Sequence, residues 1–270
     1  MAADRPLAER RDSNRKTEGK ETVFTADHFR IGPGELKNRY RIRYADLHRV
    51  NEICQEAFLG CTGLQEVQLG ALEKVGKYAF SGCSHLRQVT FPSSLNRLGT
   101  GAFADNRRLQ AVSFPRDSLL RELRSDTFRG CQSLSEICFP GRLKVIGSRA
   151  FYKCQNLERM ELPLTLKTIE AEAFYACGLR ELELPEGLLE IKEGAFRKCR
   201  SLEYVYLPDT LKKMGKWVFH GCSSLKVVEI NHDLEEIGEW ITNKNCTIRC
   251  PKGSRMEAYA RGYGMNVEYI

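Results

Sequence analysis

Leu143-Lys144-Val145-Ile146-Gly147-Ser148-Arg149-Ala150-Phe151-Tyr152-Lys153-Cys154-Gln155-Asn156-Leu157-Glu158-Arg159-Met160-Glu161-Leu162-Pro163 is one copy of a unit that fills most of this chain. Its marker, Ala-Phe, recurs at Ala57-Phe58, Ala79-Phe80, Ala102-Phe103, Ala150-Phe151, Ala173-Phe174 and Ala195-Phe196. Thr127-Phe128 and Val218-Phe219 fill the gaps in the series. The phenylalanines fall 22–25 residues apart. That period belongs to stacked repeat architectures, in which each unit buries its apolar face only against its neighbours.

Each unit divides into three parts. The segments Leu64–Leu69, Leu86–Phe91, Leu109–Phe114, Leu134–Phe139, Leu157–Leu162, Leu179–Leu184, Leu202–Leu207 and Leu225–Ile230 are apolar at their first, fourth and sixth positions. The fourth and sixth share one face of a strand, because side chains alternate. These segments therefore predict eight parallel rungs, and Thr247–Cys250 matches the end of a ninth. Pro92, Pro115, Pro140, Pro163, Pro185 and Pro208 follow six of them. A proline cannot donate to a ladder, so it ends pairing at one level. Leu-x-x-Ile-Gly then predicts a second short extended segment, and Ala-Phe-x-x-Cys a turn, or one turn of helix, carrying Phe and Cys inward.

Three departures from the frame stand out. Asn106 takes a cysteine's place, Arg116 to Arg124 is about two residues long for its position, and Cys177-Gly178-Leu179 is one residue short. A local bulge is expected at the second.

The boundaries follow from the repeat. Residues 1–21 are charged and aperiodic, and are read as a disordered arm. Residues 22–50 are read as an N-terminal cap, 51–248 as a solenoid of about eight repeats, and 249–270 as a C-terminal cap. Ser254-Arg255-Met256-Glu257 has the form of a capping box opening a short helix.

The net charge is +7, and residues 1–49 hold twelve Lys/Arg against eight Asp/Glu. That density is too low, and too poor in interleaved aromatics, to favour nucleic acid. No apolar run approaches the roughly 18 residues a membrane span requires. Met1 to Lys20 lacks the apolar core of a signal peptide, so a cytoplasmic setting is expected, or a secreted or surface one had a signal been removed.

The chain has eleven cysteines, seven of them in one slot of the repeat: Cys61, Cys83, Cys131, Cys154, Cys177, Cys199 and Cys222. Stacked rungs about 4.7–4.9 Å apart with parallel Cβ vectors do not suit a bridge that wants Cβ atoms about 3.5–4.5 Å apart and facing. They read as small buried hydrophobes, in keeping with a reducing compartment. Cys246 and Cys250 supply at most half a zinc site, and Cys250 sits in a core slot. The five histidines have no metal spacing, and no catalytic constellation or phosphate loop stands out. No catalytic residue, cofactor or metal is expected.

The repeated Leu-x-x-Ile-Gly-x-x-Ala-Phe-x-x-Cys-x-x-Leu-x-x-Val-x-Leu-Pro resembles the BspA-like leucine-rich repeat family. The resemblance covers about residues 50–265, the tail Cys250-Pro251-Lys252-Gly253-Ser254 included. It implies an α/β repeat solenoid: a right-handed, curved leucine-rich repeat array with a parallel concave sheet and short turns or helical segments on the convex side. It also implies protein binding, and many members of the family are similar to surface adhesins.

The third and fifth positions of each rung point outward. On a net basic chain they form a mostly acidic stripe next to a tyrosine pair. The expected partner-binding residues are Glu136, Arg159, Glu161, Glu181, Glu183, Tyr204, Tyr206 and Glu229. Tyr offers large contact area at small entropic cost, and an acidic face repels phosphates. The expected function is a non-catalytic interaction scaffold holding a basic or mixed-charge protein; the alternative is a cell-surface or secreted adhesin. Cys138, on the outward face, and Trp217, in the turn, are the other side chains expected near the surface.

Overall fold

In a computed structural model, which describes residues 22–270, the chain winds through about eleven turns of parallel strand. Successive turns are joined by rows of backbone hydrogen bonds on three sides. The first row is the main ladder. Along the chain it takes β1 (Thr22–Thr25), β3 (Ile42–Leu47), β5 (Glu66–Leu69), β7 (Gln88–Thr90), β9 (Ala111–Ser113), β11 (Glu136–Cys138), β15 (Tyr204–Leu207), β17 (Val227–Ile230), β19 (Thr247–Cys250) and β20 (Asn266–Tyr269). The second row is built from the Leu-x-x-Ile-Gly segments. It takes β2 (Arg30–Ile31), β4 (Glu52–Ile53), β6 (Lys74–Val75), β8 (Arg97–Leu98), β10 (Glu122–Leu123), β12 (Val145–Ile146), β13 (Thr168–Ile169), β14 (Glu190–Ile191), β16 (Lys213–Met214) and β18 (Glu236–Ile237). The third row lies at the turns, where Phe N–H donates to the alanine carbonyl of the next turn, as from Phe151 to Ala173 and from Phe174 to Ala195, each at 2.7 Å.

The core runs down the middle as columns. Phe58, Phe80, Phe103, Phe128, Phe151, Phe174, Phe196 and Phe219 are fully buried and stack ring on ring, 5.1 Å apart from Phe151 to Phe174 and 5.2 Å from Phe174 to Phe196. Beside them run the thiols. Each reaches back one turn to a backbone carbonyl, Cys61 to Leu36 and the others to a phenylalanine: Cys177 to Phe151 at 3.0 Å, Cys199 to Phe174 and Cys222 to Phe196 at 3.2 Å. The slot therefore asks for more than a small apolar group. A thiol fills it and donates weakly to a buried carbonyl, which Ala could not do. Burial pushes the thiol of Cys61 up to about 11, and those of Cys83, Cys131, Cys154, Cys177 and Cys199 are also pushed well above the ordinary range by burial.

The turns before Phe are not helical. The one helix among the described residues is α1 (Arg255–Gly262), between β19 and β20, so no helix lines the side away from the main ladder in the repeats. The reason is local. The residue before each Ala-Phe is left-handed: Glu56, Tyr78, Asp126, Arg149, Glu172, Trp217 and Trp240 hold φ between 50° and 61°, and Gly101 and Gly194 stand at the same place. A left-handed residue in every turn stops helical hydrogen bonding from propagating. Helix α1 opens with the first half of the capping box: the Ser254 hydroxyl accepts from Glu257 N–H at 3.1 Å, while the Glu257 carboxylate accepts from Gly253 N–H at 2.7 Å, one residue before the cap.

Two of the eight expected rungs are not strands. Leu157–Leu162 and Leu179–Leu184 pair with nothing in the main ladder, so β11 and β15 are left as edges of separate sheets. The second ladder runs unbroken through the same turns, from β10 to β18. It is interrupted elsewhere, between β8 and β10, where the long stretch Arg116 to Arg124 intervenes. The expected bulge thus takes the form of a broken pairing. The segment 1–21, read from sequence as a disordered arm, lies outside the described residues.

Candidate functional site

The main ladder lacks pairing in two places: between β5 and β7, whose inward residues Val67 and Val89 are both branched, and across the two rungs between β11 and β15. In the paired rungs the central inward residue is Val67, Val89, Val112, Ile137, Val205, Val228 or Ile248. In the two unpaired rungs it is Met160 or Leu182. A β-branched side chain restricts its own backbone toward the extended region and packs well on a pleated face; Met and Leu do neither as strongly. Like charge adds to this. Glu161 and Glu183 occupy the same outward slot of adjacent turns, and side-by-side carboxylates disfavour close pairing. Gly178 then leads directly into its rung, so close to the preceding turn that a Cβ there would clash with the Gln155 carbonyl oxygen, as one at Gly63 would with that of Tyr40.

The opening has three physical consequences. Among the described residues, no backbone N–H or C=O of Arg159–Leu162 or Glu181–Leu184 finds a backbone partner. The inward side chains are slightly exposed, Leu162 at 9 %, Leu182 at 7 % and Leu184 at 8 %, as are Val67 and Phe139 at 7 % in paired rungs, whereas Val205 and Val228 are at 0 %. A groove of about 860 Å³ lies along rung 179–184, floored by Leu182 and Leu184 and walled by Glu181, Glu183, Tyr204 and Tyr206.

The expected site residues fall into three groups. Glu136, Glu161 and Glu183 are exposed and make no ion pair among the described residues. Arg159 and Glu181 approach to only 3.9 Å, with side chains 74 % and 71 % exposed, a contact worth little in water. Tyr204 and Tyr206 stand on β15 with their hydroxyls engaged, Tyr204 donating to Glu229 at 3.0 Å and Tyr206 to Asp209 at 3.1 Å. Burial first, and those carboxylates second, push both phenols up, so both remain protonated donors at neutral pH.

Glu229 differs from the reading that counted it among the acidic contacts. Its carboxylate is held by Arg249 at 2.9 Å and by Tyr204, and its side chain is only 18 % exposed. Arg249 goes on to Glu268 at 3.0 Å, so Glu229 belongs to a bracing chain from β15 to the terminal strand. Glu203, which the alternation pattern did not single out, does line the groove; it pairs with Lys226 at 2.8 Å. The branched-to-unbranched change at Met160 and Leu182 is the sequence signal that could have located the groove.

The remaining candidates are simply placed. Cys138 is exposed. Trp217 is half-buried in its turn, with the Lys216 ammonium 4.5 Å and the Arg197 guanidinium 5.2 Å from its ring centroid. Cys246 and Cys250 are buried in the core, and burial pushes Cys246 up to about 11. Among the described residues no group of three or more His, Cys, Asp or Glu is placed to hold a metal ion, and no helix is long and apolar enough to cross a membrane.

The repeat frame matches the BspA type leucine rich repeat region, in six copies, over residues 31–158 and 144–251. The chain belongs to the BspA-type leucine-rich repeat family. Solved structures of this type resemble it at low identity. A leucine-rich repeat protein from Eubacterium ventriosum is 16 % identical with a TM-score of 0.50, the match covering 85 % of this chain and 73 % of that one. One from Bacteroides ovatus is 20 % identical with a TM-score of 0.49, over 95 % and 94 %. A leucine rich cell surface protein from Faecalibacterium prausnitzii is 20 % identical with a TM-score of 0.45, over 93 % and 88 %. At these identities the likeness concerns the fold alone. No curated protein matches the chain. Leucine-rich repeats of the BspA type are typically non-catalytic binding modules.

Proposed function

We propose that this protein is a non-catalytic binding scaffold that holds a basic or mixed-charge protein on its main-ladder face, between β11 and β17. One observation carries the reading. The unpaired rungs place a groove beside two anchored tyrosines and several carboxylates without cationic partners, on a chain whose net charge is +7. Rigid aromatic walls next to uncompensated charge are what a protein interface uses for anchoring and for steering. For the setting, family membership supports the cell surface and an adhesin-like role better than the cytoplasm.

Two variants test the reading, one with Glu161, Glu181 and Glu183 changed to Gln and one with Tyr204 and Tyr206 changed to Ala. Each is checked first for an unchanged melting temperature. Against the partner recovered from the source cells, the Gln variant is expected to slow association and flatten its salt dependence. The Ala variant is expected to speed dissociation by a factor corresponding to roughly 2 kcal/mol. Unchanged binding by both would move the site off this face. Protease treatment of intact cells, followed by detection of the chain, decides between surface and cytoplasm.

A further inference from the structure

We infer that the gap in the main ladder is a seat for an extended, basic segment of the partner, which pairs through its main chain with the open rungs and with the free edge of β15. This inference rests on the proposed binding face and says how that face works.

The main ladder is parallel, so an interruption leaves hydrogen-bonding groups on both of its margins. β15 pairs only with β17, and β11 only with β9. Between these edges the backbone groups of 159–162 and 181–184 have no backbone partner among the described residues. Such groups are seldom left without any hydrogen bond, so in the free protein they are hydrated. An extended chain can take the place of that water, and exposed strand edges are recognised in this way by other proteins.

The turns do not come apart elsewhere. The Phe151, Phe174 and Phe196 rings stay 5.1 to 5.5 Å from their neighbours, and β12, β13, β14 and β16 remain paired behind them. The gap is therefore confined to one face and supported from behind. Filling it requires movement on this face alone.

The chemistry of the occupant follows from the lining. Leu182 and Leu184 form a partly uncovered apolar floor, while Glu181, Glu183 and Tyr204 stand outward. An alternating segment would put small apolar side chains on the floor and Lys or Arg toward the carboxylates. An acidic segment would meet Glu161 and Glu183, which have no ion pair among the described residues, and Glu181, which has only the exposed Arg159 contact. A second copy of this chain is the less favoured occupant, because the acidic face would have to meet itself in a two-fold pairing.

The test uses the intact protein and three fluorescent decapeptides: alternating Lys and Val; alternating Glu and Val; and the Lys-Val peptide N-methylated at every second residue. The third keeps the charge and the side chains but loses the main-chain donors of one edge. Fluorescence anisotropy is expected to rank Lys-Val first, with both others weaker by about tenfold or more, since several main-chain hydrogen bonds or the charge match are lost. Amide exchange is expected to slow at 181–184 and 204–207 when Lys-Val is bound. The Gln variant at Glu181 and Glu183 should weaken Lys-Val several-fold and leave the preference for the unmethylated peptide intact.

Equal binding of the methylated peptide would overturn strand pairing, while the binding-face proposal stands or falls separately on the tyrosine variant and the natural partner. Binding of Lys-Val with protection mapped elsewhere, or no binding at all, would also overturn it. A concentration-dependent dimer that protects these same amides would overturn the basic occupant in favour of self-pairing.

Discussion

The array is interrupted in three places, between β5 and β7, between β8 and β10 and between β11 and β15, and the last two differ in depth. Between β8 and β10 the second ladder breaks where the chain is too long, and the damage reaches the core. Asn106 lies there fully buried, with neither amide atom hydrogen-bonded among the described residues. Phe103 and Phe128 stack 5.9 Å apart with a 27° tilt, against 5.1 Å and 3° for Phe151 and Phe174. Between β11 and β15 the main ladder breaks where the inward side chains are unbranched, and the core behind it is intact. The phenylalanine column, the thiol contacts and the second ladder all pass through. A break that extends into the core weakens a nearest-neighbour interface, on which a solenoid depends. A break confined to one face costs less and leaves that face available for contact.

Four measurements press on this contrast. Phe151→Ala should have the largest effect, destabilising by about 3–5 kcal/mol in denaturant titration. Phe151 sits between Phe128 and Phe174 behind the open rungs, so a small loss would mean that the core there is as loose as the surface. Asn106→Cys should act in the opposite direction. It restores the thiol and removes a buried amide without partners, so a gain of about 1–3 kcal/mol is expected. A loss of stability would mean that the amide is satisfied where it stands, and would erase the contrast in depth.

Met160→Val combined with Leu182→Val should change global stability by less than about 1.5 kcal/mol, as near-conservative apolar exchanges do. It should nonetheless slow amide exchange across 181–184, because the branched residues favour closing the ladder. The same double variant should bind the natural partner more weakly if the open rungs are the seat. Exchange as fast as in the natural sequence would show that charge rather than branching holds the ladder open. The smallest effect expected is no difference at all. Cys154 and Cys177, behind the open rungs, should be as inert to a thiol reagent as Cys199 and Cys222 behind paired ones. Cys138 alone should react before denaturant releases all eleven. Preferential labelling of Cys154 or Cys177 would mean that the gap reaches the core.

Much of this was legible because repetition multiplies a weak signal. One Ala-Phe says little, but eight phenylalanines in register fix the stacked column, the parallel rungs and the thiol row. The same repetition hid the exceptions. Leu157–Leu162 and Leu179–Leu184 satisfy the apolar pattern at every position, and pattern does not distinguish Val from Met or Leu. Strand pairing depends on backbone restriction as well as on burial, and on more than branching, since β5 and β7 carry Val67 and Val89 and still do not pair. The tyrosines and the exposed glutamates were readable from alternation. The neutralisation of Glu229 was not, because Arg249 approaches it from the next turn and Glu268 braces it from the last strand. Asn106 was visible as a departure; that its amide would lie unpaired beside a broken second ladder required the neighbouring turns.

The left-handed residue at each turn has one further consequence, for engineering. An ordinary side chain in that conformation costs roughly 1–2 kcal/mol, partly offset by the roughly 0.5–1 kcal/mol of chain entropy that glycine would lose on folding. Gly101 and Gly194 already take the unstrained option, while Tyr78, Trp217 and Trp240 do not. The repeat thus holds a distributed reserve of backbone tension, remote from the main-ladder face. Glycine placed at Glu56, Asp126, Arg149 or Glu172 would release it one turn at a time. A thermally tougher array could then be made without altering a single outward side chain of the binding surface.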